Sequence, residues 1–338
     1  MNVGHREVCL DHDTGQRHPE SPDRIRAIRR TLADAEAVEY ATPETATLSE
    51  ITAVHDPGYI ASFEDFCASG GGSWDADTIA VEATYEAALA SAGIALWAAR
   101  AALGHPDRPA TPFAIGRPPG HHAVTDDAMG FCFLNNVAIA AETLLRRGRA
   151  DRIAIVDWDV HHGNGTQDIF YDRGDVLYVS IHEEGLFPGT GALSETGTGP
   201  GVGRTLNVPF RPGSGDPEYE HVLDTAIEPT IAAFDPDLVL VSAGFDAHRR
   251  DPISRMTVST EGYGRMAARL LDLAGRIDAG LGFVLEGGYG LETLSDSVDA
   301  INAACNGDVP DPIDAEADPH SRQVVDRLRD VGFVQGPS

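Results

Sequence analysis

Short β-rich apolar runs alternate along this 338-residue chain with longer alanine-rich stretches of helical period. That alternation is the pattern of a parallel sheet with helices packed on its faces. The runs PFAI (112–115), RIAIVDW (152–158), VLYVSI (176–181), TLNVPF (205–210), DLVLVSA (237–243) and LGFVLE (281–286) read as strands. Helices are predicted over 84–103, 135–148 and 260–277. No composition break divides these elements and no internal repeat is visible. The expected fold class is therefore α/β: a single open, mostly parallel sheet with helices on both faces. One domain is expected over residues 1–304; residues 305–338 read as an acidic, proline-punctuated linker and a short terminal helix around Val324 to Val331.

The polar residues that follow the strands carry the next inference. Five strands run directly into GRPPGHH, DWDVHH, SIHEE, GFDAHRRD and EGGY. In open α/β sheets ligands bind outside the carboxyl ends of the strands, so these five segments are predicted to converge on one site.

Residues two apart on an extended segment point the same way. Asp157, Asp159 and His161 should thus share one face, and Trp158, Val160 and His162 the other. With Asp246 delivered from a neighbouring strand end, Asp159 and His161 would make a three-ligand metal site. A single buried Asp or His is usually a cap or a hydrogen-bonded core residue. Four histidines and three aspartates at strand ends exceed what packing requires. Two oxygen ligands and one nitrogen suit zinc with an open position for water, and iron(II) or another divalent ion also fits. Two carboxylates nearly neutralise such an ion, so a separate base is needed. His121 and His122 are candidates, each oriented by a partner such as Asp157 or Asn164. Tyr289, in the flexible GGYG, could turn its hydroxyl towards a developing oxyanion.

Charge narrows the partners. The chain has 53 acidic against 25 basic residues, a net charge of −28, and its basic side chains are all arginine. Such a surface repels nucleic acid, so no direct nucleic acid binding is expected. The plain explanation is a halophilic cytoplasm, where charge keeps proteins soluble in concentrated salt. Cys9, Cys67, Cys132 and Cys305 are widely separated and predict neither a disulfide framework nor a thiolate zinc site. No run of ~18 consecutive apolar residues and no signal-peptide hydrophobic region is seen, so no membrane role is expected and the expected location is cytoplasmic.

The motifs HPESPDRI, HDPGYI, RPPGHHA, GFCFLNNVAIAA, IVDWDVHHGNGTQDIFY, FPGTG, PDLVLVSAGFDAH and LEGGYG occur in that order over nearly the whole domain. In this ordered set the chain resembles the zinc-dependent histone deacetylase family, whose class II branch is nearest and whose relatives include acetylpolyamine amidohydrolases and acetoin-utilisation-type deacetylases. The resemblance implies the arginase/deacetylase fold and a metal-dependent amidohydrolase. It implies one zinc ion held by Asp159, His161 and Asp246, with His122 as general base and acid, His121 as its electrostatic companion and Tyr289 polarising the acyl carbonyl. Asp157 would orient His121, and Asn164 would orient His122, where class I relatives usually have aspartate. Asp157, Asp159, His161 and Ser180 would hold a structural monovalent cation, K+ in the family. Gly130, Phe131, Phe187 and Ile253 would line the substrate tunnel, and Arg24 would belong to an internal acetate exit. His182 and His248 are expected to be supporting or surface residues.

The implied substrate is an acetylated protein or a small acetylated amine. The loop DPISRM after Asp246 is closer to polyamine-type enzymes than to histone-directed ones, whereas Ile253 stands where one polyamine-specific branch has an acidic residue. Two other classes compete. A two-manganese ureohydrolase of the arginase type would place a carboxylate where this chain has His248, and a non-catalytic acetyl-lysine binder would have lost a ligand, the base or the tyrosine.

Overall fold

The computed structural model describes residues 1–35, 37–104 and 111–330. All six predicted strands form within it, with four short ones that the pattern did not reveal. In chain order they are β1 (Asn2–Gly4), β2 (Glu39–Ala41), β3 (Gly72–Ser73), β4 (Ile79–Ala80), β5 (Pro112–Ala114), β6 (Ile153–Asp157), β7 (Val176–Glu183), β8 (Thr205–Phe210), β9 (Leu238–Ala243) and β10 (Gly280–Leu285). Eight of them build one sheet in the order β2-β1-β5-β10-β9-β6-β7-β8, and β3 and β4 pair apart from it. Every pairing in the large sheet is parallel. All carboxyl ends therefore leave the same edge.

Alternation along each strand feeds two separate cores. From β6, Ala154 and Val156 join one apolar cluster while Ile153 and Ile155 join the other; from β9, Val239 and Val241 go one way and Leu238 and Leu240 the other. Helices cover both faces because both faces are apolar, and each fully buried aliphatic side chain contributes about 1.5–3 kcal/mol.

The predicted helices appear as Thr84–Leu103, Asn136–Arg146 and Thr260–Arg276. Asn135 begins the second by accepting the Ala138 N–H, and Ser259 begins the third by accepting the Gly262 N–H. The first is long and apolar enough to cross a membrane by length and composition. Here it packs against the sheet and the helix Asn136–Arg146, with its alanine-rich stripe in the core. A helix over Asp23–Ala33, absent from the sequence reading, carries Arg24 under the sheet edge. At the other end the acidic stretch after Cys305 is largely exposed, and the helix Pro319–Asp330 then returns Val324, Val325 and Leu328 to the main core beside β8. Val331, included in the predicted terminal helix, lies outside the described residues.

Candidate active site

The predicted convergence is present at the carboxyl edge. β6 ends at Asp157, and the turn that follows leaves the sheet while Trp158 and Val160 remain in the core. That anchoring aims Asp159 and His161 the opposite way, towards Asp246 three residues beyond β9. Ligand atoms of Asp159, His161 and Asp246 all lie within 4.8 Å of one another. His161 Nδ1 sits 3.0 Å from Asp159 Oδ1 and 3.2 Å from Asp246 Oδ2. The other carboxylate oxygens are held by the backbone: Asp159 Oδ2 accepts the Gly287 N–H at 2.8 Å and Asp246 Oδ1 the Val160 N–H at 2.9 Å. Gly287 has to be glycine, since a Cβ there would lie 2.2 Å from Asp246 Oδ2.

The electrostatics of this triad call for a cation. Burial disfavours charge on the His161 ring, yet Asp159 and Asp246 override it and hold the ring up at about 10. Burial and the neighbouring Asp159 charge push Asp246 up. Asp246 Oδ2 is buried and, apart from the ion-pair contact with His161 Nδ1, has no polar partner among the described residues. Two carboxylates and an imidazole nitrogen form a three-residue donor set that fits a divalent metal ion.

Beside the triad lie the two histidines of RPPGHH, with ring centroids 4.0 Å apart. His121 Nδ1 meets Asp157 Oδ2 at 3.1 Å, and Tyr178 Oη donates to the same oxygen at 3.0 Å. Burial works against charge on His121, but Asp159 and Asp157 hold its pKa up at about 10. His122 is pushed the other way, well below its ordinary value, by burial and then by the charges of His121 and His161. Its Nδ1 lies 2.8 Å from Asn164 Oδ1. The Asn164 amide donates to the His122 carbonyl and to Met129 Sδ, which turns its oxygen towards the ring. An amide oxygen only accepts, so Nδ1 carries the proton and the Nε2 lone pair is free.

Aromatic rings flank this centre. Phe187, partly exposed, stands edge-on to His122 at 5.1 Å and to His161 at 6.5 Å. Phe131 stands edge-on to Tyr289 at 5.9 Å. Gly130 has φ +57 and a Cβ there would lie 2.4 Å from His122 Cδ2, so glycine gives the base room. Ile253 is half-buried, its N–H on Asp251 Oδ1, while Asp251 Oδ2 accepts the Tyr289 N–H at 2.7 Å. Ser180 lies opposite Asp157 in the β6–β7 register, with its Oγ 2.9 Å from His182 Nδ1. Arg24 is fully buried; it donates to the carbonyls of Glu286 and Gly288 and to Glu20 Oε1, and its guanidinium carbon lies 5.1 Å over the Tyr289 ring. His182 and His248 are both buried, not on the surface, held by Ser180 and Gly191 and by Thr260 respectively.

Several supporting residues escaped the sequence reading. Glu20 takes a bidentate pair from Arg117 at 2.7 and 2.6 Å, Glu286 binds the backbone at Gly120 and His121, and Tyr178 braces Asp157. The Glu20–Arg24 spacing of four on a helix entry was a usable signal; the other contacts bridge distant segments and left none.

Comparison with known proteins agrees with this geometry. Residues 18–305 match the histone deacetylase domain model. A probable deacetylase of Archaeoglobus fulgidus is 41% identical over 292 residues, covering 85% of this chain and 80% of that protein. A histone deacetylase-like amidohydrolase of Pseudomonas aeruginosa is 39% identical over 279 residues, covering 80% and 72%. Among solved structures, the HDA15 HD domain superposes with a TM-score of 0.90 at 37% identity, covering 98% of this chain and 95% of that one. The sheet is that of the arginase/deacetylase fold, and the chain is a hydrolase. The chain belongs to the histone deacetylase family.

Proposed function

We propose that this chain is a zinc-dependent deacetylase that hydrolyses the amide of acetyl-lysine in proteins, or of related N-acetyl amines, to acetate and free amine. One observation carries the reading: a histidine whose Nδ1 faces the Asn164 amide oxygen, leaving Nε2 free, stands beside a carboxylate–imidazole triad whose donor atoms lie within 4.8 Å of one another. Asp159, His161 and Asp246 would hold the zinc ion, which supplies Lewis-acid polarisation of the carbonyl and of water. His122 takes the proton from the attacking water at Nε2 and returns it to the departing amine nitrogen. Burial and charge on the His121 ring would keep His122 neutral until that moment, and Asp157 holds His121 in place. Tyr289 donates its phenolic hydrogen to the carbonyl oxygen as charge gathers there. Phe131 and Phe187 confine the substrate chain, with Gly130 admitting it beside the base and Ile253 at the rim. A potassium ion near Asp157 and Ser180, drawing on main-chain oxygens and on lone pairs that the existing bonds leave free, would offset the carboxylates beneath the site. Arg24 would direct acetate inward.

His248 supports a single catalytic metal. Its ring is buried, bonded to Thr260 Oγ1 at 3.1 Å and stacked 6.5 Å from Tyr263. An arginase-type pair of manganese ions has no carboxylate there. The competing substrate class is an acetylated polyamine or another small amine, which the loop DPISRM favours. A head-to-head kcat/KM measurement on an acetyl-lysine peptide and an N-acetyl diamine, with zinc-loaded protein in concentrated KCl, separates the two. Preference for the peptide supports protein deacetylation. A tenfold preference for the diamine, ~1.4 kcal/mol, moves the assignment to small-molecule hydrolysis. Turnover of neither removes the deacetylase reading. The concentrated salt reflects a further part of the proposal, that the acidic surface serves a halophilic cytoplasm.

A further inference from the structure

Glu286 follows the last residue of β10 and takes no part in the chemistry above, yet it is fully buried at the site. Its Oε2 accepts two consecutive backbone N–H groups, of Gly120 at 2.7 Å and of His121 at 3.2 Å. Ser242 Oγ, from β9, donates to its Oε1 at 3.4 Å. The segment so held, 117–122, belongs to no helix or strand, and no ladder is available to its N–H groups. The next N–H after Glu286, of Gly287, goes to Asp159 Oδ2. Phe245, next to Asp246, donates its own N–H to the Gly287 carbonyl. Tyr289 follows two residues later. One side chain thus joins the segment that bears both histidines to the strand end that braces a metal ligand and carries the tyrosine.

We propose that Glu286 is the positioning residue of the His121–His122 pair: one side-chain oxygen, by accepting both N–H groups, sets the two rings against Asp159 and Asp246. The inference rests on the deacetylase reading above. Backbone donors buried in this way must find an acceptor or the segment must move, and a displacement of about 1 Å at a reacting group can cost about a hundredfold in rate. The requirement is for an acceptor at a fixed distance, not for a charge. Burial pushes the Glu286 carboxyl up to about 7 against the pull of His121.

Two variants separate acceptor geometry from charge. Glu286→Gln keeps an oxygen at the same reach without the charge; Glu286→Asp keeps the charge and withdraws the oxygen by one methylene. On an acetyl-lysine peptide with the metal-loaded full chain, Gln is expected to hold kcat within about threefold and Asp to lower it by about thirtyfold or more. KM and metal content should stay unchanged in both. An Asp variant as fast as the Gln variant overturns the proposal, as does a change confined to KM. If the Asp variant does not fold, Gln alone decides: a tenfold or greater fall in its kcat means that charge is needed and overturns it. Unmodified protein inactive on both peptide and N-acetyl diamine is a separate result, which removes the deacetylase reading and this inference with it.

Discussion

Glu20, Arg24 and Arg117 form one fully buried ion cluster, Asp159, His161 and Asp246 another in which the carboxylates are fully buried and the imidazole half-buried, and the stretch from Glu286 to Tyr289 touches both. In the first, one carboxylate faces two guanidinium groups. Arg117 grips both oxygens of Glu20 and spends its remaining hydrogens on the carbonyls of Cys9, His12 and Glu20. Burial opposes the Glu20 charge, yet Arg117, His12 and Arg24 together hold its carboxyl well below the usual range. In the second, two carboxylates share one imidazole, and Asp246 Oδ2 has no other polar partner among the described residues. Burying charge is tolerated only where pairing and hydrogen bonds compensate it. The first cluster is closed by the chain's own atoms; the second leaves its carboxylates as a donor set that fits a cation.

Substitutions that remove one cluster and spare the other should show that division. Asp246→Ala is expected to lower kcat/KM on the order of 10⁴-fold, ~5.5 kcal/mol, and to abolish stoichiometric metal, measured by turnover and metal analysis. Full metal content in that variant would mean that the triad is not the metal site. Glu20→Gln should do the reverse, costing roughly 3–5 kcal/mol in denaturant unfolding because it strands two buried guanidinium groups, while metal content stays at one ion per chain. The pH dependence follows from the depressed carboxyl of Glu20. Its stabilisation is present above the unfolded pKa of about 4.3 and is lost as pH falls towards the folded value. The stability gap between the parent and Glu20→Gln should therefore narrow below about pH 4.

Smaller effects test the groups that lie between the clusters. Tyr289→Phe should lower kcat by about a hundredfold, ~2.7 kcal/mol, with metal retained; near-normal turnover would remove the phenol from the mechanism. Asn164→Ala should cost about 10–100-fold in kcat, because Nδ1 of His122 loses the acceptor that fixes its tautomer. If Asn164→Ala proved as damaging as Asp246→Ala, the base would depend on Asn164 as heavily as the triad depends on its carboxylates.

Much of the site could be read along the chain because its residues lie where period-two strands meet polar ends. Asp157, Asp159 and His161 alternate with Trp158 and Val160, and that alternation, carried past the end of β6 into the turn, separates the site side from the core side. The His121–Asp157 and His122–Asn164 pairs were expected and are found. Short edge strands escaped because three residues are too few to show a period, as in β1 and β2. His182 and His248 were expected to be supporting or surface residues, and burial excludes the surface. A histidine carries no mark of its own burial; what surrounds it decides.

The sequence by itself determined six of the ten strands, the faces they present, the polar residues at their ends and the family, since each depends on residues near one another in the chain or on ordered motifs. Tertiary structure alone decided which distant groups close each buried charge. Arg24 reaches Gly288 and Glu286 reaches Gly120 across separations of 264 and 166 residues, and only the strand order β2-β1-β5-β10-β9-β6-β7-β8 brings those segments together. Periodicity encodes which way a side chain points; it does not encode which strand lies beside which. For that reason the Asp159–His161–Asp246 cluster and the His122–Asn164 pair were legible in advance, while Arg117 and Glu286 were visible only in the folded chain.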